Sequence, residues 1–82
     1  MQKTVLQESD EGIVFRIKNI PSGMFEFYIL KKRTFKDKTH LYNIYVGLHG
    51  NSRRSILLGK IRGKRADAIK KMEQIIHNGA TL

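Results

Sequence analysis

The residues whose type and spacing point to chemistry in this chain are its lysines and arginines, and the chemistry is the holding of phosphate. Lys31-Lys32-Arg33 leads into Lys36 and Lys38, Arg53-Arg54 follows after a gap, and Lys60, Arg62, Lys64 and Arg65 close the series. An ammonium acts on a phosphate as a compact point charge, whereas a guanidinium offers a planar fork of N–H donors that meets two oxygens at once. Thirteen of the sixteen basic residues lie between Arg16 and Arg65 against only two acids, Glu26 and Asp37, a formal +11 in a chain whose total is +9. A field of this size attracts a polyanion and repels a second copy of the chain. It reports phosphate contact and does not say which bases are read.

Other chemistries find little support. His40, His49 and His77 have no metal-binding spacing and no cysteine to join them, so no metal site is expected. Glu8, Asp10 and Glu11 resemble a hydrated loop. The Gly59 and Gly63 pair lacks the residues that complete a phosphate loop. The expectation is therefore a binding protein, not an enzyme, with no cofactor. At 82 residues the chain makes a single domain with a thin core and a stability on the order of 5 kcal/mol. Without cysteine it holds itself by packing alone, which suits a reducing cytoplasm. Met1-Gln2-Lys3-Thr4 lacks the layout of an export signal, and the longest apolar runs are only a few residues, so a cytoplasmic protein without a membrane segment is expected. At 40% hydrophobic the chain is too apolar for a disordered tail.

The elements that must position the cations follow from periodicity. Residues 1–23 are an acidic lead-in plus an extra strand: residues 4–7 form a short strand, Glu8-Ser9-Asp10-Glu11-Gly12 a turn, residues 13–18 a strand, and Ile20-Pro21-Ser22-Gly23 its stop. The body spans residues 24–78. Its first strand, 24–33, places Phe25, Phe27 and Ile29 on one face and Glu26, Tyr28, Leu30 and Lys32 on the other. After a loop at 34–39, residues 41–49 alternate again, with Tyr42, Ile44, Val46 and Leu48 apolar and Asn43, Tyr45, Gly47 and His49 opposite them. Gly50-Asn51-Ser52 reads as a hairpin turn and 53–61 as the next strand, whose facing is ambiguous because Ile56, Leu57 and Leu58 are consecutive. The period then changes. Ala68, Ile69, Met72, Ile75 and Ile76 fall at helical spacing, giving a helix over 64–77 that stops at Asn78-Gly79, with Asp67 and Lys71 placed to pair. The predicted fold is α+β, a small antiparallel sheet of three to five strands covered on one face by the C-terminal helix.

That arrangement assigns Phe25, Phe27, Tyr42 and Met72 to the core. It leaves Tyr28, Asn43 and Tyr45 among the cations on the uncovered face, where cations interleaved with aromatics suit phosphates and bases. Arg62-Gly63-Lys64-Arg65 falls where the helix begins, so backbone N–H groups are expected to add to the side chains in holding a phosphate.

Residues 41–61 followed by Ala66-Asp67-Ala68-Ile69 resemble the three-stranded-sheet-plus-helix DNA-binding domain shared by plant GCC-box-binding ethylene-response factors and the arm-site-binding domain of phage and transposon integrases. Leu57-Leu58-Gly59-Lys60-Ile61 and Arg65-Ala66-Asp67-Ala68 stand where those families close the last strand and open the helix. The plant proteins carry tryptophan where this chain has Leu57. The resemblance implies that the open face enters the major groove of duplex DNA, with Lys32, Asn43, Tyr45 and Arg54 as readers and a role in regulation or recombination of a phage or mobile element. The order of strands and helix is also similar to the double-stranded-RNA-binding domain, whose opening helix has no counterpart here, and to the single-stranded-DNA-binding transcriptional coactivators. Two further readings stay open. The chain could instead bind an acidic protein as inhibitor or adaptor, and the N-terminal strand could pair with a protein partner or with a second copy.

Overall fold

The computed structural model describes residues 2–20, 23–48 and 55–78. The described residues form five strands, β1 (Gln2–Ser9), β2 (Gly12–Ile20), β3 (Gly23–Thr34), β4 (His40–Leu48) and β5 (Ile56–Gly63), followed by one helix, α1 (Arg65–His77), with apolar alternation clearest in β2, β3 and β4. The strands lie in chain order, each antiparallel to the next. The fold is thus α+β, one small antiparallel sheet with a C-terminal helix on one face, as the periodicity predicts.

Register puts the large apolar residues in rows. Phe15 faces Phe27, which faces Val46; Ile13 faces Ile29, which faces Ile44; and Ile17 faces Phe25. All are buried. Onto this surface α1 sets Ala68 and Met72, one turn apart and fully buried, with Ile69, Ile75 and Ile76 packed around them. Met72 is therefore the centre of the helical stripe, and Ile76, which the spacing ranks equally, lies at its margin.

The helix runs closest to β4 and β5, yet its side chains also reach β1 at the opposite edge, through ion pairs of Lys3 with Glu73 and of Arg65 with Glu8. Five strands at the usual spacing make a sheet about 19 Å wide, and a helix is only about 10 Å across. Both edges meet one helix because the sheet curls around it. The covered face is concave and the other convex.

Register shifts in all four strand pairings adjust the pattern, the one between β2 and β3 falling between Ile17 and Ile20. Leu58 is the extra residue between Leu57, which faces Tyr45, and Gly59, which faces Ile44. The bulge resolves the run Ile56-Leu57-Leu58: Leu58 packs against the core while Leu57 stays on the open face, 45% exposed. Lys32 is the extra residue on β3, so Arg33, facing Leu41, takes the open-face position that simple alternation assigns to Lys32. Leu6 interrupts β1 in the same way. β1 is twice the length its composition indicates, because a polar edge strand is held by ladder hydrogen bonds to β2 and not by burial. β5 runs two residues past the expected end, and α1 starts at Arg65. His49, the turn Gly50-Asn51-Ser52, Arg53, Arg54 and Gly79 lie outside the described residues, as does part of the turn after Ile20.

Gly12 marks the tightest backbone approach. Its φ is 155°, and a Cβ there would sit 2.1 Å from the Ile29 carbonyl oxygen, so no side chain fits without moving β3. Gly12→Ala should cost about 1–3 kcal/mol or more through backbone strain, read as a lower denaturant midpoint. Met72→Ala should cost about 2–5 kcal/mol, whereas Lys70→Ala on the exposed side of α1 should change stability by less than about 0.5 kcal/mol. Equal midpoints for Met72→Ala and wild type would show that α1 does not pack through Met72.

Candidate nucleic-acid interface

The convex face displays the residues that alternate with the core set. One row crosses four strands as Val14, Tyr28, Tyr45 and Leu57; a second runs Leu30, Asn43, Lys60; a third runs Arg33, Leu41, Arg62; and on the far side of the first lie Arg16 and Glu26. The centre of the face is thus apolar and aromatic, and cations stand at both ends of it. Two shallow hollows open there, one of about 270 Å³ lined by Tyr28, Leu30, Tyr45 and Ser55, the other of about 220 Å³ reaching from Tyr28 and Val14 to Gln7.

Hydrogen bonds hold the aromatic rings in place. The Tyr28 hydroxyl donates to the Glu26 carboxylate at 2.7 Å, and the Asn43 amide nitrogen donates to the Tyr45 hydroxyl at 3.0 Å. Partial burial, followed by the Glu26 acceptor and its negative charge, pushes the Tyr28 phenol up to about 12. Two polar atoms of this face are buried without a partner, Arg16 Nε and Asn43 Oδ1. Asn43 is therefore not the free donor and acceptor pair that adenine reading needs. Its amide braces Tyr45 instead.

At one end, the loop at 35–39 organises the cations. The Arg62 guanidinium lies 3.8 Å from the Phe35 ring centre and that of Arg33 5.2 Å. Arg62 also donates to Thr39 Oγ1 and to Asp37 Oδ2, both at 3.2 Å. The Thr39 hydroxyl and backbone N–H hold the Asp37 carboxyl below its usual range, with Arg62 assisting. These contacts are exposed and add little stability, but they fix the direction of a guanidinium on the rim.

The residues singled out from sequence divide into groups. Arg33, Asn43, Tyr45, Lys60 and Arg62 share the convex face. Lys31 faces Tyr42 and so belongs to the covered side, where it lines a separate cleft with Lys38, Lys64 and Arg65. Lys32, at its bulge, and Lys36, in the 35–39 loop, are exposed at the end of the sheet between the two groups. Arg53 and Arg54 lie outside the described residues. The helix start departs from expectation. The Lys64 N–H donates to the Asp67 carboxylate at 2.9 Å, and the N–H groups of Asp67 and Ala68 turn back to the Lys64 carbonyl. Asp67 is thus engaged there and not with Lys71, and its negative charge opposes a phosphate at that point. Gly63 permits the cap, since a Cβ there would sit 2.7 Å from the carboxylate.

Two contributors were not singled out from sequence. Arg16 alternates with Phe15 and Ile17 on β2, so period two alone places it on the open face. Phe35 sits in a loop, and nothing local marks it as a platform for two guanidiniums.

No protein-family model, no curated protein and no solved structure matches this chain. Among the described residues no helix is long and apolar enough to cross a membrane, and no three acids or histidines gather as a metal site would require.

The raised Tyr28 value gives a pH prediction. A phenol held protonated in the folded state contributes its full stability below the ordinary value of 10.0 and loses it as pH rises toward about 12. Denaturant midpoints should fall across that window, and the fall should be shallower in Tyr28→Phe. Identical profiles for the two proteins would contradict the environment assigned to Tyr28.

Proposed function

We propose that this chain binds duplex DNA through the convex face of its sheet. The observation that carries the reading is the charge pattern of that face: Arg33, Lys60 and Arg62 at one end and Arg16 at the other flank a centre formed by Tyr28 and Tyr45. A major groove about 12 Å wide admits strands presented edge to edge, while the phosphates on either side meet the flanking cations. Arg33 and Lys60 are exposed and suit guanine edges. Lys32 and Lys36 suit backbone positioning. The resemblance to sheet-type DNA-binding domains agrees with this mode of docking, and with it a role as a small regulator or recombination accessory protein of a phage or mobile element.

A second reading rests on the row Val14, Tyr28, Tyr45, Leu57. Two tyrosines fixed by their hydroxyls on an apolar floor would stack the bases of a single strand. Convexity favours the duplex, because single-strand binders track the backbone along a groove.

Anisotropy titrations of labelled duplex and single strand at several salt concentrations separate the readings. Neutralising five to seven phosphates gives a slope of log affinity against log salt of about −4 to −6 for duplex. Lys32→Ala and Lys36→Ala should each weaken binding and reduce that slope by about 1. No binding at low salt would overturn nucleic-acid binding altogether, and tighter binding of the single strand would favour stacking.

A further inference from the structure

On the other side of the sheet, a cleft of about 350 Å³ opens between the ends of β3 and β4, the loop after β3 and the start of α1. Four cations from three segments line it: Lys31 from β3, Lys38 from the loop, and Lys64 and Arg65 from the helix start. Lys38 adopts a positive φ of 68°, a costly conformation for a lysine in an exposed turn. Arg65 is tied back to Glu8 and the Ser9 carbonyl. Lys31, Lys38 and Lys64 have no acidic partner within ion-pairing distance among the described residues. Three ammonium groups that line one cleft without an ion pair repel one another, and an anion in their midst relieves that repulsion. Among the described residues Asp10 supplies the only carboxylate in the lining.

We infer that this cleft is a phosphate-binding site separate from the convex face. Its volume lies near the lower bound of small-ligand pockets, roughly 300–1,000 Å³, and fits a diphosphate group. His40 and Tyr42 form a wall of two rings in edge contact, 5.8 Å between centres, and the His40 Nδ1 is paired with Thr34 Oγ1 at 2.9 Å. The helix end adds little, because Asp67 takes the Lys64 N–H; the ammonium groups carry the recognition. A diphosphate presents enough oxygens for all three lysines at once. The group is either the terminal phosphate of a nucleic-acid strand or a free phosphorylated small molecule.

The test uses the full chain and pyrophosphate as the probe, measured by titration calorimetry, with 5′-phosphorylated and unphosphorylated duplexes as further arms. Pyrophosphate should bind with 1:1 stoichiometry. The double substitution Lys31→Gln and Lys64→Gln should weaken it by at least about tenfold for each ammonium removed. Asp10→Asn should strengthen it, a gain that partial unfolding cannot produce. Lys60→Gln, across the sheet, should leave pyrophosphate affinity unchanged while weakening duplex, so the cleft and the convex face fail or succeed independently. A tighter 5′-phosphorylated duplex identifies a strand end as the source of the phosphate, and equal duplexes alongside pyrophosphate binding identify a free phosphate compound. Absence of pyrophosphate binding at low salt, or binding unaffected by the double substitution and by Asp10→Asn, would overturn the assignment.

Discussion

One helix must cover the apolar face of five strands. Ile13, Phe15, Ile17, Phe25, Phe27, Ile29, Tyr42, Ile44 and Val46 all point to the same side, and among the described residues α1 is the only element laid on them. Burial of apolar area is the dominant favourable term in folding, so a flat sheet would leave β1 and β2 wet on both faces. Curling brings both edges to the helix. Lys3 completes the closure, lying over the Phe15 ring while its ammonium meets Glu73, a long aliphatic stem covering what the helix does not reach.

The same curl shapes the exposed surface. Bending the sheet toward α1 spreads the side chains of the other face into a ridge, so the tyrosines at its crest depend on hydrogen bonds for their orientation, from Tyr28 to Glu26 and from Asn43 to Tyr45. Charge is displaced to the margins for a physical reason. A guanidinium or ammonium at the crest would sit over apolar neighbours with no partner, whereas at the sheet end Arg62 finds Phe35, Asp37 and Thr39 within reach. The bulges at Lys32 and Leu58 set which residues join this rim. Without the shift at Lys32, Arg33 would face the covered side, and the guanidinium pair flanking Phe35 would not form.

Most of the architecture was legible because it rests on periodicity. The alternation in β2, β3 and β4 and the 3.6-residue spacing of Ala68, Met72 and their neighbours are local signals that tertiary packing reinforces. What escaped sequence reading is decided by non-local contacts. A bulge leaves no compositional mark, so the facings of Lys32, Arg33 and Leu57 follow only from pairing with β4. β1 is too polar to announce its length. The candidate site residues show the same division: the open-face placement of Asn43 and Tyr45 follows from alternation, whereas that of Lys60 and Arg62 is set by the bulge at Leu58. The separation of Lys31, Lys38, Lys64 and Arg65 into a cleft of their own required the register of β3 and the start of α1 in space. Asn43 is the sharpest case, since its type suits adenine while its surroundings commit its amide to Tyr45.

The central claim is that the convex face, and not the helix, meets nucleic acid. Amide chemical-shift mapping on addition of a short duplex tests it most directly, residue by residue. Perturbations should concentrate on Arg16, Tyr28, Arg33, Tyr45, Lys60 and Arg62, with Lys70 and Gln74 on the exposed side of α1 unaffected. Shifts centred on α1, with the convex face silent, would contradict it.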